Sequence, residues 1–159
     1  MVIRIVCAGK LKEAAFTQAA KEYEKRLSRF ATVELCEVSD EKAPESLSPA
    51  GEALVKEKEG ERLLGRIKAG DYAIALTLDG TAPNSVAFAE HLQTLIDGGK
   101  SPIDFVIGGS LGLGQNVLAR ANEKLCLSNM TLPHGLCRVF LLEQIYRACK
   151  INAHETYHK

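Results

Sequence analysis

The sequence predicts an α/β fold with a mostly parallel sheet flanked by helices, and three observations predict it. Short β-branched or apolar runs alternate five times with longer segments of helical period, the pattern that a repeated strand–helix unit leaves in a chain. One of the runs, Tyr72–Leu78 (YAIALTL), is almost continuously apolar, as a central parallel strand covered on both faces is. The 159 residues and 46% hydrophobic content suffice for one core, so residues 1–159 read as a single domain without a linker.

Val2–Ala8 is a short β-branched run ended by Gly9 and reads as a buried first strand. Phe16, Ala20, Tyr23, Leu27 and Phe30 then recur at steps of four and three, which places them on one helix face while Lys21, Lys25 and Arg26 lie elsewhere. Val33–Val38 (VELCEV) alternates apolar and polar, the period of a half-buried strand. A polar loop containing Pro44 leads to Ser48-Pro49, a helix start in which serine caps and proline suits the first helical position. That helix is expected to reach about Lys68, to carry its charges (KEKEGER) on a solvated face and, with Gly60 inside it, to be the least well packed element. Tyr72–Leu78 is closed by Asp79 and Gly80. Ser85 is placed to cap a helix whose Phe88, Leu92, Leu95 and Ile96 face inward until Gly98 and Gly99 end it. Ile103–Ile107 is the fourth strand, Gln115–Lys124 a short helix and Leu125–Leu127 the fifth strand. Leu136, Val139, Phe140, Leu142, Ile145, Tyr146 and Cys149 make a last amphipathic helix ahead of the tail Asn152–Lys159.

Twenty basic and twenty acidic residues cancel, so any nucleic-acid partner must be met by a local patch. The segment from His134 onward offers one, with Arg138, Arg147, Lys150 and Lys159; the plainer reading is a solvated helix face. Five scattered cysteines without a C-x-x-C pair argue against a disulfide framework and against a zinc site, and suit a reducing compartment. The opening MVIRIVCAGK is too short for a signal-peptide core and carries Arg4, and no stretch approaches a membrane span, so a soluble cytoplasmic protein is expected.

Two loops attract attention because ligands of open α/β sheets bind beyond the carboxyl ends of strands. Gly108–Gly114 (GGSLGLG) follows the fourth strand, and Ser128–Pro133 follows the fifth; two neighbouring loops of this kind can share one pocket. The glycine loop has neither the dinucleotide spacing nor the Lys-Ser/Thr of a phosphate-binding P-loop. Its glycines do permit close approach of backbone to a ligand. No G-x-S-x-G, H-E-x-x-H or carboxylate cluster supports a hydrolase or metalloenzyme. His134 and His158 are the titratable candidates near neutral pH, with a structural role the plainer reading for each.

DFVIGGSLGLG, LSNMTLPH, RVFLLEQIYRA and the terminal YHK resemble the ribosomal RNA large-subunit methyltransferase H family of the SPOUT class, as do IVCAGKLKEAAFTQAAKEYEKRL and EKEGERLL, so the resemblance covers essentially the whole chain. It implies methyl transfer from S-adenosylmethionine to N3 of a pseudouridine in 23S ribosomal RNA, on assembled ribosomes, by a homodimer whose C-terminal part is tied in a trefoil knot. It further implies that Leu76, Gly108, Leu127, Ser128, Asn129, Met130, Thr131 and Leu132 hold the cofactor, and that His134, Arg138, Arg147, Tyr157 and His158 face RNA or the target base. Neither a metal nor a membrane is implied. Two departures stand out: Asn152-Ala153-His154 replaces the family's usual Arg-Gly before Glu155, and Gly135 follows His134 where glutamine is common. A transfer-RNA methyltransferase of related fold and a non-enzymatic RNA- or nucleotide-binding module are the alternatives. The residues alone leave open the exact nucleotide, the general base, the effect of the tail departure and whether naked RNA suffices.

Overall fold

In the computed structural model, which describes residues 1–159, strands and helices alternate strictly: β1 (Val2–Ala8), α1 (Ala14–Leu27), β2 (Thr32–Val38), α2 (Pro49–Leu64), β3 (Tyr72–Thr81), α3 (Ser85–Asp97), β4 (Ile103–Ile107), α4 (Gln115–Arg120), β5 (Glu123–Leu125) and α5 (His134–Asn152). Every strand pairing is parallel, and the sheet order is β2-β1-β4-β3-β5. Successive side chains of a strand point to opposite faces, so each face builds its own core. Ile3, Ile5 and Cys7 of β1 and Ile103, Phe105 and Ile107 of β4 pack with α1, α3 and α5. Val6, Ala8, Ala75 and Val106 face α2 and α4 through Leu63 and Val117. Leu141, Leu142 and Ile145 are fully buried, and at about 1.5–3 kcal/mol each they anchor α5 between α1, α3 and the sheet.

Arg4, in the middle of β1, lies beside Asp104 in the strand register. Its Nε and Nη2 donate to the two Asp104 oxygens at 2.8 and 2.9 Å, and it also pairs with Asp71. Burial pushes the Asp104 carboxyl up, against the pull of Arg4. The charge is thus compensated inside the sheet, where removal of one partner costs far more than the pair contributes.

Several expectations are corrected. α2 ends at Leu64 rather than Lys68, and its charged face is not wholly solvated, because Glu59 is only 4% exposed. Asn84, not Ser85, caps α3, its Oδ1 accepting from Ala87 N at 2.9 Å; Ser85 is the first residue inside the helix, and its hydroxyl donates to Gln144 Oε1 at 2.8 Å. Phe30 lies beyond α1, in the turn to β2. α4 is cut to six residues because Ala121 is extended and Glu123–Leu125 joins β3, which also ends the fifth strand at Leu125. β3 does not stop before Asp79 but runs on to Thr81. No helix is long and apolar enough to cross a membrane.

β4 and β3 are neighbours, yet β3 leads into α3 on one face and β4 into α4 on the other. Chain leaving adjacent strand ends in opposite directions opens a crevice there.

Candidate functional site

The crevice holds a cavity of about 560 Å³ between the end of β3, the glycine loop, residues 125–132 and the first turn of α5. Between Leu76 and Thr81, β3 has no ladder partner on β5, and Thr77, Leu78 and Asp79 line the cavity from this gap. The glycine loop folds back on itself, with Gly112 N donating to Gly109 O at 3.1 Å and Gly112 at φ +86°. A Cβ on Gly108 would lie 2.5 Å from the Gly112 carbonyl carbon. Glycine at 108 is therefore required by the loop's own backbone, and a side chain there distorts the loop before it reaches ligand space. On the opposite wall, Cys126 N donates to Thr81 O at 2.9 Å, and a Cβ on Gly80 would meet the Leu125 backbone at 2.7 Å. Residues 125–126 thus pass hard against the end of β3. The Ser128 hydroxyl then accepts from Met130 N at 3.0 Å and shapes the turn.

The structure brings together Leu76, Gly108, Leu127, Ser128, Met130, Thr131 and Leu132 on the cavity wall, with His134 at the same place. Asn129 is not on the wall; its side chain turns toward Cys126 Sγ, 3.9 Å away. Thr77, Leu111 and Cys137 line the cavity without having been singled out in the sequence. Thr77 lines the cavity, but its hydroxyl is buried away from the cavity surface. Cys137 offers no thiolate, since burial pushes its thiol up to about 11. At the rim, Lys124 at 3.0 Å holds the exposed Asp79 carboxyl below its ordinary range. A mainly apolar cavity with a few polar groups is the usual form of a small-molecule site. Its size and its backbone-lined glycine wall fit a nucleoside carrying a short side chain.

His134 sits over Gly9, whose φ of +88° favours glycine; a Cβ there would be 3.5 Å from His134 Cε1. The His134 Nδ1 is buried without a partner. Arg138, one turn further along α5, is not the exposed residue the sequence suggested. It is 1% exposed, and it donates to Glu37 Oε1 at 2.6 Å and to Gly9 O at 2.5 Å, tying α5 to the ends of β1 and β2. Glu37 also accepts from Leu11 N at 2.9 Å. Burial raises the Glu37 pKa, but the Leu11 and Arg138 donors outweigh it and hold the carboxyl below the ordinary range.

Arg147, Tyr157 and His158 form a separate cluster. Arg147 Nη2 donates to Glu143 at 2.5 Å, Nη1 lies 3.3 Å from His158 Nδ1, and the guanidinium stands 4.8 Å from the Tyr157 ring centre. Tyr157 O–H donates to Glu143 at 3.2 Å, and its ring meets Tyr146 edge-on at 4.9 Å. Helical rise puts Arg147 about 20 Å along α5 from His134. The tail is therefore folded on its own helix, not at its own cavity. Its first turn is a Schellman motif: His154 N donates to Ile151 O and Glu155 N to Lys150 O, with His154 at φ +55°.

A family model described as "Predicted SPOUT methyltransferase" matches residues 1–158. The chain is 54% identical over 159 residues to the ribosomal RNA large subunit methyltransferase H of Ruminiclostridium cellulolyticum, and 55% identical to that of Bacillus cytotoxicus, covering 100% of each protein. Among solved structures, the fold is similar to a probable methylase family protein from Haemophilus influenzae, with a TM-score of 0.57 at 18% identity, covering 99% of this chain and 70% of that one. A putative methylase family protein from Neisseria gonorrhoeae gives 0.53 at 17%, over 99% and 86%.

Proposed function

The chain belongs to the SPOUT methyltransferases, within the ribosomal RNA large-subunit methyltransferase H family, and on that premise we propose that it transfers a methyl group from S-adenosylmethionine to N3 of a pseudouridine in 23S ribosomal RNA on the assembled ribosome. The observation that carries the reading is the meeting of Leu76, Gly108, Leu127, Ser128, Met130, Thr131 and Leu132 around one cavity of suitable size. S-adenosylmethionine supplies, when bound, a methyl group on a sulfonium that leaves as a neutral thioether.

The chain's residues do the rest. The backbone around Gly108 and Leu127–Leu132 binds the adenosyl portion, and Leu76, Leu125 and Leu127 exclude water. Asn129 acts from behind the wall by holding the turn. Alignment of nucleophile, methyl and sulfur is the chief contribution, since interactions equal in ground and transition state give no acceleration. The imide N3–H must be lost; His134 at the cavity and His158 in the tail are the residues able to take it near neutral pH. The Arg147 N–H groups stabilise the negative charge left on the base carbonyls, and Tyr157 stacks on a base. Arg138 is a positioning residue that fixes the first turns of α5.

Within one protomer His134 and the Tyr157–His158 cluster lie at different places, which supports a homodimer in which the tail of one chain completes the cavity of the other. The tight passage of residues 125–126 against 80–81 supports a trefoil knot, tied within a single domain.

Labelled methyl transfer to intact ribosomes, separated subunits, naked ribosomal RNA and transfer RNA tests the reading. Label confined to a pseudouridine N3 of 23S RNA, strongest on assembled ribosomes, is expected. Label on transfer RNA would move the chain to a different substrate, and no cofactor binding at millimolar S-adenosylmethionine would leave only a binding module.

A further inference from the structure

Glu59 lies on α2, outside the cavity wall, and is 4% exposed. Its Oε1 accepts the Glu41 N–H at 3.0 Å, while its Oε2 is buried with no partner. A buried polar oxygen without a donor costs roughly 1–3 kcal/mol, more when it is charged, so a use for it is to be sought among its neighbours. The nearest is the glycine loop: a Cβ on Gly109 would stand 2.7 Å from Oε2 and 2.9 Å from Oε1, so the carboxylate lies directly against the bare face of that residue. The next two residues of the turn supply what is missing, because the N–H groups of Ser110 and Leu111 have no acceptor in the chain. An acceptor without a donor therefore faces a turn that carries donors without acceptors. The segment after β2 that donates the Glu41 N–H to Glu59 is itself held, since Arg62, one turn along α2, donates to Ser39 O at 3.0 Å and to the Glu41 carboxylate at 2.5 Å.

We propose that Glu59 is the positioning residue of the cofactor loop: as the turn Gly109–Gly112 seats against a bound ligand, an N–H of Ser110 or Leu111 donates to Glu59 Oε2, and the carboxylate fixes the wall that Gly108 and Leu111 present to the cofactor. The inference rests on the cavity being the cofactor site. Its physical content is an induced charge-assisted hydrogen bond from beneath the wall, with no contact between Glu59 and the cofactor itself.

Glu59→Gln keeps the volume and one oxygen for Glu41 N–H but presents an NH₂ to the loop. Glu61→Gln, on the exposed side of the same helix, is the control for loss of charge. Calorimetric titration with S-adenosylmethionine and amide hydrogen exchange at Ser110 and Leu111, with and without the cofactor, are measured on wild type and both variants. Expected for Glu59→Gln are a cofactor Kd raised about ten- to hundredfold, cofactor-induced protection at Ser110–Leu111 lost, exchange of the β4 core unchanged, and kcat at saturating cofactor near wild type. Glu61→Gln behaves as wild type. Wild-type affinity and wild-type protection in Glu59→Gln would overturn the proposal, and so would a loss of affinity that tracks slower or faster exchange throughout β4, which marks general destabilisation. If the wild type itself binds no S-adenosylmethionine, the reading of the cavity fails. Ligand-free exchange at Ser110–Leu111 is expected to be equal in wild type and Glu59→Gln, because the bond forms only when the turn seats against the cofactor; a difference there would overturn the induced bond.

Discussion

The two ends of α5 are built on different principles. At its first turns, His134 meets an apolar cavity, and Arg138 is sealed between Glu37 and Gly9 with 1% of its surface exposed. At its last turns, Arg147 and Glu143, 25% and 17% exposed, form an ion pair that Tyr157 and the exposed His158 cover through hydrogen-bond and ring contacts. The first end is anchored by a fully buried arginine yet leaves His134 Nδ1 and Arg138 Nε buried without partners; the second is held by partly exposed contacts to the chain's own tail, which other partners can replace at lower cost. An enzyme that must bind a small cofactor tightly and a large RNA reversibly has reason to use both.

The largest effect that separates the ends is on activity. Gly108→Trp destroys the glycine loop, and truncation after Ile151 removes the second cluster; each is expected to be inactive alone. Refolded together in equal amounts they form about half mixed dimers, each with one complete site, so activity returns to roughly a quarter of wild type if the tail serves the partner's cavity. Activity that stays at background would mean that both ends act within one protomer.

Arg138 and Arg147 sharpen the contrast next. Arg138→Met leaves Glu37 without its partner and is expected to destabilise the fold by about 2–3 kcal/mol, the low end for a broken pair because Glu37 is a third exposed. Denaturant unfolding measures this. Arg147→Ala changes stability little and instead flattens the salt dependence of RNA binding by about one counterion. The reverse assignment of effects would show that the two arginines have been given each other's roles.

Much of this fold was legible in the chain, and the failures have a common cause. Runs such as Ile103–Ile107 and the loops that follow them carry their signal locally, in period and glycine content, so the strands and the two cavity loops came out of the sequence. Arg138 and Glu59 did not, because whether a charge is buried depends on a partner far along the chain; Glu37 is 101 residues from Arg138. Asn84 and Ser85 are adjacent and both good caps, and residue type alone does not say at which of them the helix starts. Thr77 hides in an apolar run, and its place on the cavity wall follows from a gap in the β3–β5 ladder that no local pattern announces.

Acid should loosen the first end through Glu37. Glu37 has its carboxyl pKa depressed in the folded chain, so its stabilisation is fully present above the unfolded value of about 4.3 and is lost as pH falls through the lower folded value. Glu37→Gln is expected to flatten the acid limb of a stability–pH curve below about pH 5. An unaltered acid limb would mean that Leu11 N–H and Arg138 do not act through this carboxylate.

The smallest effect lies at the departure from the family's tail. The Schellman turn after α5 puts residue 154 at φ +55°, a conformation that glycine adopts freely and that brings a β-carbon into conflict with the backbone. Relatives with glycine before the glutamate suit this turn without strain, whereas this chain places His154 there and offsets it with the hydrogen bonds to Ile151 O and Lys150 O and the Arg29–Glu155 pair at 3.1 Å. His154→Gly removes the steric strain but frees the unfolded chain, so the net gain is expected to be only about 0.5–1 kcal/mol, read as a rise of a few degrees in Tm. Because the turn aims Tyr157 and His158, the same variant also asks whether the second end of α5 works better when its hinge is relaxed. A gain in Tm with unchanged methylation would confine His154 to a local C-cap role; a loss of Tm would show that the imidazole makes a contact worth more than the strain it carries.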